Sequence, residues 1–435
     1  MSYLPIVSYL KPAALLGCLV LLSVRCEQPD DEPVVTEKRD GDGAVVGKDY
    51  LWQKDITEKG LVWTIVSPAL YEDMVIVGGA TTEEEDMLIA LDVNTGEEVW
   101  RWTDFLSYDR AGTLNLDEYG INQKDNIWLL DNTTYFYSID LATGRTLWKE
   151  RRPGQRGSGV QILDNSYYFA NHTYDQDSVL IASLAKGDVY SSSYEEIVEP
   201  PIDTIQFFPP FYGSMGAPCV YEENGQRYAF LQFDSNVDLY KGQTFNFVAS
   251  YNLTTGRYDF EKTQLLDTMK LPFSQRPVMY QDVMIVNPGA QLFGINKHTG
   301  EVLWHRDEFK ENADGVFTYA LYQNRLFVVN KFGITSRVMA LDPLTGETLW
   351  EDIGRGNAAH ALHFLNGVMY FGSRGDGKLY AYDTNSGELL WRIQSPEYEN
   401  FQGYGGVRVV PGTDDQKGKV IACTWATAYC YEAIR

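Results

Sequence analysis

The sequence has no apolar run long enough to cross a membrane as a helix: the best, Pro12 to Val24, is thirteen uncharged residues, against the roughly 20 a spanning helix needs. No HExxH, GxSxG, P-loop or paired CxxC occurs, which removes the usual zinc-protease, serine-hydrolase, nucleotide-hydrolysing and dithiol readings. Histidines number five, His172, His298, His305, His360 and His363. The pair in HALH falls on a strand-like stretch, where a spacing of three points side chains to opposite faces and denies them a shared metal. DGDG at 40–43 and RGDG at 374–377 lack the later bidentate acid of a calcium loop and read as linker and hairpin turn. Positive charge is scarce, with 36 Lys and Arg against 60 Asp and Glu and a net charge of −24; phosphates would be repelled, so nucleic acid is excluded as a partner. Cysteine is scarce too, with five in the chain and no two adjacent.

What the chain does have is a repeated phrase. It reads ALDPLTGETLW at 340–350 and recurs as ALDVNTGEEVW (90–100), SIDLATGRTLW (138–148), GINKHTGEVLW (294–304) and AYDTNSGELLW (381–391), with a weaker copy around Gly256. Units of about 40–50 residues that cannot bury a core alone must stack on copies of themselves. Each phrase spells two antiparallel strands and a tight turn. Gly96, Gly144, Gly256, Gly300, Gly346 and Gly387 supply the positive φ of the turn. The acid or amide four residues earlier (Asp92, Asp140, Asn252, Asn296, Asp342, Asp383) accepts hydrogen bonds from turn amides. A small residue six before the glycine leaves room for a ring, and the aromatic four after it (Trp100, Trp148, Phe260, Trp304, Trp350, Trp391) is the ring to dock between neighbouring units, burying on the order of 150–250 Å².

The spacing AxDxxTGxxxW resembles the tryptophan-docking motif of the PQQ-like β-propeller repeat, over residues 49–435. The resemblance implies an all-β fold of four-stranded antiparallel blades, with these Asp, Gly and Trp residues holding blades together and not touching ligand. Turn glycines, with Gly187 as a degenerate copy, give seven units; the short apolar strands that precede each phrase give eight. The ends supply the difference. The globular part opens with the second half of a phrase, Trp52 included, and AYCYEAIR (428–435) stops where a first half would reach its turn. An eight-bladed propeller whose ring is closed by N- and C-terminal strands in one blade accounts for both ends and leaves no exposed sheet edge.

Residues 1–26 read as a lipoprotein-type signal peptide. Cys18 and Cys26 compete for the lipid: Cys18 has the better local lipobox, whereas Cys26 follows the whole apolar run and is preferred. The acidic stretch 27–48 reads as a disordered tether. The interval from Gly187 to Gly256 is 69 residues, too long for one blade, and the surplus holds Phe207, Phe208, Phe211 and Tyr212 among prolines, a candidate partner-binding loop. A second irregular stretch, 103–126, invites the same reading. Cys219 looks isolated, while Cys423 and Cys430 sit across a two-residue turn at Ala426-Thr427 and form a candidate disulfide in an oxidising compartment.

Two function classes follow. One is a non-enzymatic, membrane-anchored platform for a protein partner, similar to the BamB family of the outer-membrane assembly machinery: a monomeric propeller without cofactor, tethered by its lipid to the outer membrane of a Gram-negative bacterium, on the periplasmic side or the cell surface. The other is a quinoprotein dehydrogenase, which the resemblance would supply with PQQ and calcium in the axial channel; the adjacent-cysteine disulfide of many such enzymes and a CxxCH haem motif are both missing here. A surface module for glycans or other ligands is the third reading.

Overall fold

A computed structural model describes residues 37–58, 68–80, 86–104, 123–131, 135–151, 158–174, 180–201, 215–238, 243–266, 275–288, 291–307, 317–330, 337–354, 361–373, 376–397, 400–401 and 406–435. Among them every regular element is a strand, and no helix is long and apolar enough to cross a membrane. The strands form eight antiparallel blades, spanning 69–102, 123–151, 158–198, 219–266, 278–306, 317–353, 363–393 and 407–432, here blades 1 to 8. Within blades 1 to 6 the strands follow chain order. First strands of successive blades come together, 158–163 beside 219–223, 278–280 beside 317–322 and 363–365 beside 407–410, and so lie towards the axis.

Consecutive apolar residues such as Val75, Ile76 and Val77 point to opposite faces of a strand, so both faces of each blade are apolar and buried against the neighbours. Eight hydrophobic clusters result, one at each seam. The cluster between blades 8 and 1 joins Ile421, Cys423, Ala428 and Cys430 to Val75, Val77 and Ile89, so the ring is closed. Closure uses the two ends of the globular part: Trp52–Asp55 is the outer strand of blade 8 and pairs antiparallel with Thr427–Glu432, Trp52 opposite Cys430 and Asp55 opposite Thr427.

Residues 37–48, expected within the tether, instead form an ordered hairpin, Glu37–Arg39 against Val45–Lys48. Val45 pairs in parallel with Trp391 and widens blade 7 to six strands. Burial of Ala44 and Val45 and an ion pair between Asp40 and Arg392 at 2.8 Å attach the hairpin, and Lys48 Nζ lies 5.6 Å from the centre of the Trp391 ring. Asp40, which opens the DGDG sequence, accepts the amides of Asp42 and Ala44, so that sequence is the turn of this hairpin and not a linker. Cys18 and Cys26, and with them the signal and lipidation readings, lie outside the described residues.

The surplus in blade 4 is partly strand. Its second and third strands run Gln226–Asp238 and Gln243–Asn252, 13 and 10 residues, against five to seven for the corresponding strands of blades 1, 2, 6, 7 and 8, except that the second of blade 5 has four. Phe207, Phe208, Phe211 and Tyr212 lie outside the described residues, as does most of the 103–126 stretch.

Candidate functional site

The repeat phrase folds as its grammar demands. In blade 1, Asp92 Oδ1 accepts the amides of Asn94 and Thr95, both at 2.8 Å, and the Thr95 hydroxyl at 3.2 Å; Gly96 N donates to Asp92 O at 2.9 Å with φ +73°. Partial burial opposes ionisation of Asp92, but the Thr95 and Asn94 amides and the Thr95 hydroxyl outweigh it and hold its carboxyl below the usual range. The same bonds recur at Asp342 and Asp383.

The rings lie across the seams. The small residue makes room for the aromatic of its own blade: Ala90 faces Trp100, Ala340 faces Trp350 and Gly294 faces Trp304 in register. The turn glycine of the next blade is the floor on which that ring rests. A Cβ on Gly96 would sit 2.7 Å from Trp52, one on Gly300 2.7 Å from Phe260, one on Gly346 2.8 Å from Trp304 and one on Gly387 2.7 Å from Trp350. Each indole then donates to the carbonyl just after the turn acid: Trp52 to Val93 at 3.1 Å, Trp100 to Leu141 at 3.0 Å, Trp304 to Pro343 at 3.1 Å and Trp350 to Thr384 at 3.0 Å. These residues are structural. That the glycine serves the neighbour's ring as well as its own turn was not read from the sequence.

Blade 3 corrects one assignment. Trp148 donates to Val189 O at 3.1 Å, 41 residues on, the separation seen for Trp52 and Trp100. The turn acid is therefore Asp188, whose Oδ1 accepts the Tyr190 amide at 2.8 Å, and Gly187 is a strand residue opposite Tyr167 and Tyr194. Lys186, Ser192 and Glu196 stand in the small, glycine and aromatic places, and Lys186 faces Glu195 across the ladder. Tyr168 of blade 3 packs in the blade 3–4 cluster, but among the described residues no indole of blade 3 rests on the blade 4 turn. Between them opens a cleft of about 510 Å³ lined by Tyr168, Lys186, Glu195, Ile197, Arg227 and Leu253, among others.

Towards the axis, Gln275 and Arg276 strap three blades together. Arg276 Nη2 donates to Val160 O of blade 3 at 3.0 Å, Gln275 O accepts from Gln232 of blade 4 at 2.6 Å, and the Tyr319 hydroxyl of blade 6 donates to Arg276 O at 3.0 Å. Desolvation pulls Arg408 down to about 10, and desolvation followed by the charge of Arg408 holds His363 down to about 3, neutral at physiological pH. His360 lies outside the described residues. Among the described residues the eight first strands carry carboxylates only at Glu222 and Glu223, at the turn end of blade 4. A calcium ion takes 6–8 oxygen ligands, carboxylates foremost, and the described residues of these strands supply carboxylates at that one place. Glu223, Asp282 and His298 do cluster on the rim, but the Lys297 ammonium lies 2.9 Å from Glu223 and 3.3 Å from Asp282 and already balances them.

The candidate disulfide is corrected as well. The last hairpin turns through Thr424–Thr427, where Thr424 N donates to Thr427 O, so Cys423 faces Ala428 and Cys430 faces Ile421. The two cysteines are diagonal neighbours on one face, about 7–8 Å between Cα atoms in such a ladder, beyond the usual disulfide reach. Both are free, and burial pushes each thiol up to about 12. Native protein should leave Cys219, Cys423 and Cys430 unlabelled by a maleimide in an hour, and urea without reductant should expose all three. A labelling count in urea that rises only after reduction would restore the bridge.

A closed propeller of eight four-stranded blades, pinned by indoles resting on turn glycines, is the class of protein this geometry defines. A family model described as "Outer membrane protein assembly factor BamB" matches residues 235–368 and 288–422. The quinoprotein alcohol dehydrogenase PedH of Pseudomonas putida is 29% identical over 147 residues, covering 30% of this chain and 24% of that protein; the match thus spans about a quarter of the relative's length. The quinohemoprotein alcohol dehydrogenase of Comamonas testosteroni superimposes with a TM-score of 0.60 at 11% identity over 88% of this chain and 76% of its own. The computationally designed Ika8 protein does so with 0.54 at 14% identity over 87% and 99%. The chain is an eight-bladed β-propeller whose repeats over residues 235–422 are similar to those of that family model.

Proposed function

We propose that this propeller is a non-enzymatic scaffold of the bacterial cell envelope, lipid-anchored at Cys26 to the outer membrane, that holds a protein partner in outer-membrane protein assembly. The observation that carries the reading is the family match, whose description names an assembly factor and whose residues, 235–422, span blades 5 to 7 and parts of blades 4 and 8. The acidic surface, with net charge −24, suits a partner whose docking segment is basic.

The alternative is a quinoprotein dehydrogenase, favoured by the PedH match. Affinity capture of the full chain from detergent-solubilised outer membranes should recover subunits of the β-barrel assembly machinery, and Cys26→Ala should move the protein to the soluble fraction. Capture of glycan-uptake proteins alone would redirect the assembly role. Calcium-dependent binding of PQQ with dye-linked alcohol oxidation would overturn the non-enzymatic reading.

A further inference from the structure

The seam between blades 3 and 4 has the receiving half of the docking device without the ring. On blade 4 the turn is complete. Asn252 Oδ1 accepts the amides of Thr254 and Thr255 at 3.0 and 2.9 Å, and Gly256 N donates to Asn252 O at 2.9 Å with φ +70°. Leu253 is the counterpart of Val93, Leu141, Val189, Pro343 and Thr384, whose carbonyls each accept an indole N–H. Its amide donates to Arg227 O, but no side chain among the described residues donates to its carbonyl. Gly96, Gly144, Gly300 and Gly346 are buried beneath rings, whereas Gly256 is exposed, and among the described residues a Cβ there would meet only the Tyr251 hydroxyl, at 3.7 Å.

The facing blade explains the vacancy. The ring-bearing place is held by Glu196, and the adjacent Glu195 and Lys186 point charge at the seam in place of an indole and a small residue. Below the turn an apolar floor persists, since Ile197, Leu253 and Tyr258 pack on the edge of the blade 3–4 cluster. A cleft of about 510 Å³, within the range of small ligand sites, is lined by Leu253 and Thr254 of this turn, with the positive-φ Gly256 two residues further along the chain.

We propose that this seam is a recognition pocket for a tryptophan side chain of a partner polypeptide, seated on Gly256 with its indole N–H donating to the Leu253 carbonyl, as the chain's own tryptophans are seated at four other seams. A basic residue beside that tryptophan reaches Glu195, which has no ion-pair partner among the described residues; Arg227 on the opposite rim is already engaged by Asp164 and Glu222. The proposal rests on the reading as a partner-binding scaffold and names the feature of the partner that is held. The two fail separately, since probe binding does not depend on which envelope protein is captured.

The test uses the full chain and three probes, N-acetyl-tryptophanamide, its 1-methylindole analogue and a Lys-Trp-Lys peptide, with dissociation constants from saturation-transfer NMR. N-acetyl-tryptophanamide should bind in the millimolar range, and methylation of the indole nitrogen should weaken it about three- to tenfold, the worth of one hydrogen bond. The peptide should bind more tightly, and Glu195→Gln should remove that advantage while leaving N-acetyl-tryptophanamide unaffected. Equal affinity for the methylated and unmethylated probes, or no binding of any probe, overturns the proposal. Binding that appears only after residues 202–214 are replaced by a Gly-Ser linker also overturns it, because the pocket would then belong to an aromatic of the chain's own insertion. The probe comparison needs no variant, so misfolding of one cannot mask the result.

Discussion

Replacing Trp52 by alanine should lower the unfolding free energy by about 3–5 kcal/mol, the range for a large buried aromatic. Trp52 is 7% exposed and lies among Ile56, Val75, Val77, Ile89 and Cys430, bridging blade 8 to blade 1. Its indole N–H satisfies Val93 O and its ring covers Gly96. Removing it leaves a cavity, an exposed glycine and an acceptor without its donor at the one seam where the two ends of the globular part meet. The strand that carries it has four residues and pairs with a single neighbour; without the ring, that ladder and the buried Ile56 are left to hold the strand on blade 8. Urea denaturation checks the prediction, with an unchanged slope confirming that the loss is of stability and not of cooperativity. Trp350→Ala, at a half-buried position inside the continuous chain, should cost less. A Trp52→Ala loss below about 1 kcal/mol would mean that the closing strand is not held by its indole.

How far the sequence could be read depended on how local each determinant is. Turn acids and glycines were legible because an Asx turn and a positive φ are satisfied within five residues, and the blade count follows from them. Closure was legible because each half-phrase is incomplete without the other. Blade 3 was misread at Gly187 because Lys186, Ser192 and Glu196 have lost three of the four motif positions, and a glycine one residue from Asp188 took the eye. The signal that places it is not local: Trp148 lies 41 residues before its acceptor, as Trp52 and Trp100 do. Residues 37–48 have a tether's composition, and what orders them is an edge strand and an arginine about 350 residues away. The cysteine pair was placed one turn geometry off, and a diagonal offset is enough to decide against a bond with so narrow a reach. The vacant seam could not be seen in the sequence at all, since it is defined by what the neighbouring copies have.

That vacancy gives a comparison inside one molecule. Gly346 and Gly256 have nearly the same backbone, φ +71° and +70°, and the same amide-to-carbonyl bond across the turn, 2.8 and 2.9 Å. Alanine at either site carries the left-handed penalty of roughly 1–2 kcal/mol. At Gly346 the new methyl would also stand 2.8 Å from the Trp304 ring, itself 8% exposed, so the indole must lift, lengthening its 3.1 Å bond to Pro343 O and opening the blade 5–6 cluster. Overpacking of that kind adds about 1–3 kcal/mol. Gly346→Ala should therefore destabilise by about 3 kcal/mol or more and Gly256→Ala by about 1–2, with the difference, free of the backbone contribution, measuring the docked ring alone. Losses equal within about 0.5 kcal/mol would show that the turn glycines are kept for φ and not for their neighbours' rings. In the presence of saturating Lys-Trp-Lys the gap should narrow, because a ring would then rest on Gly256 as well, and the alanine there should come to obstruct it.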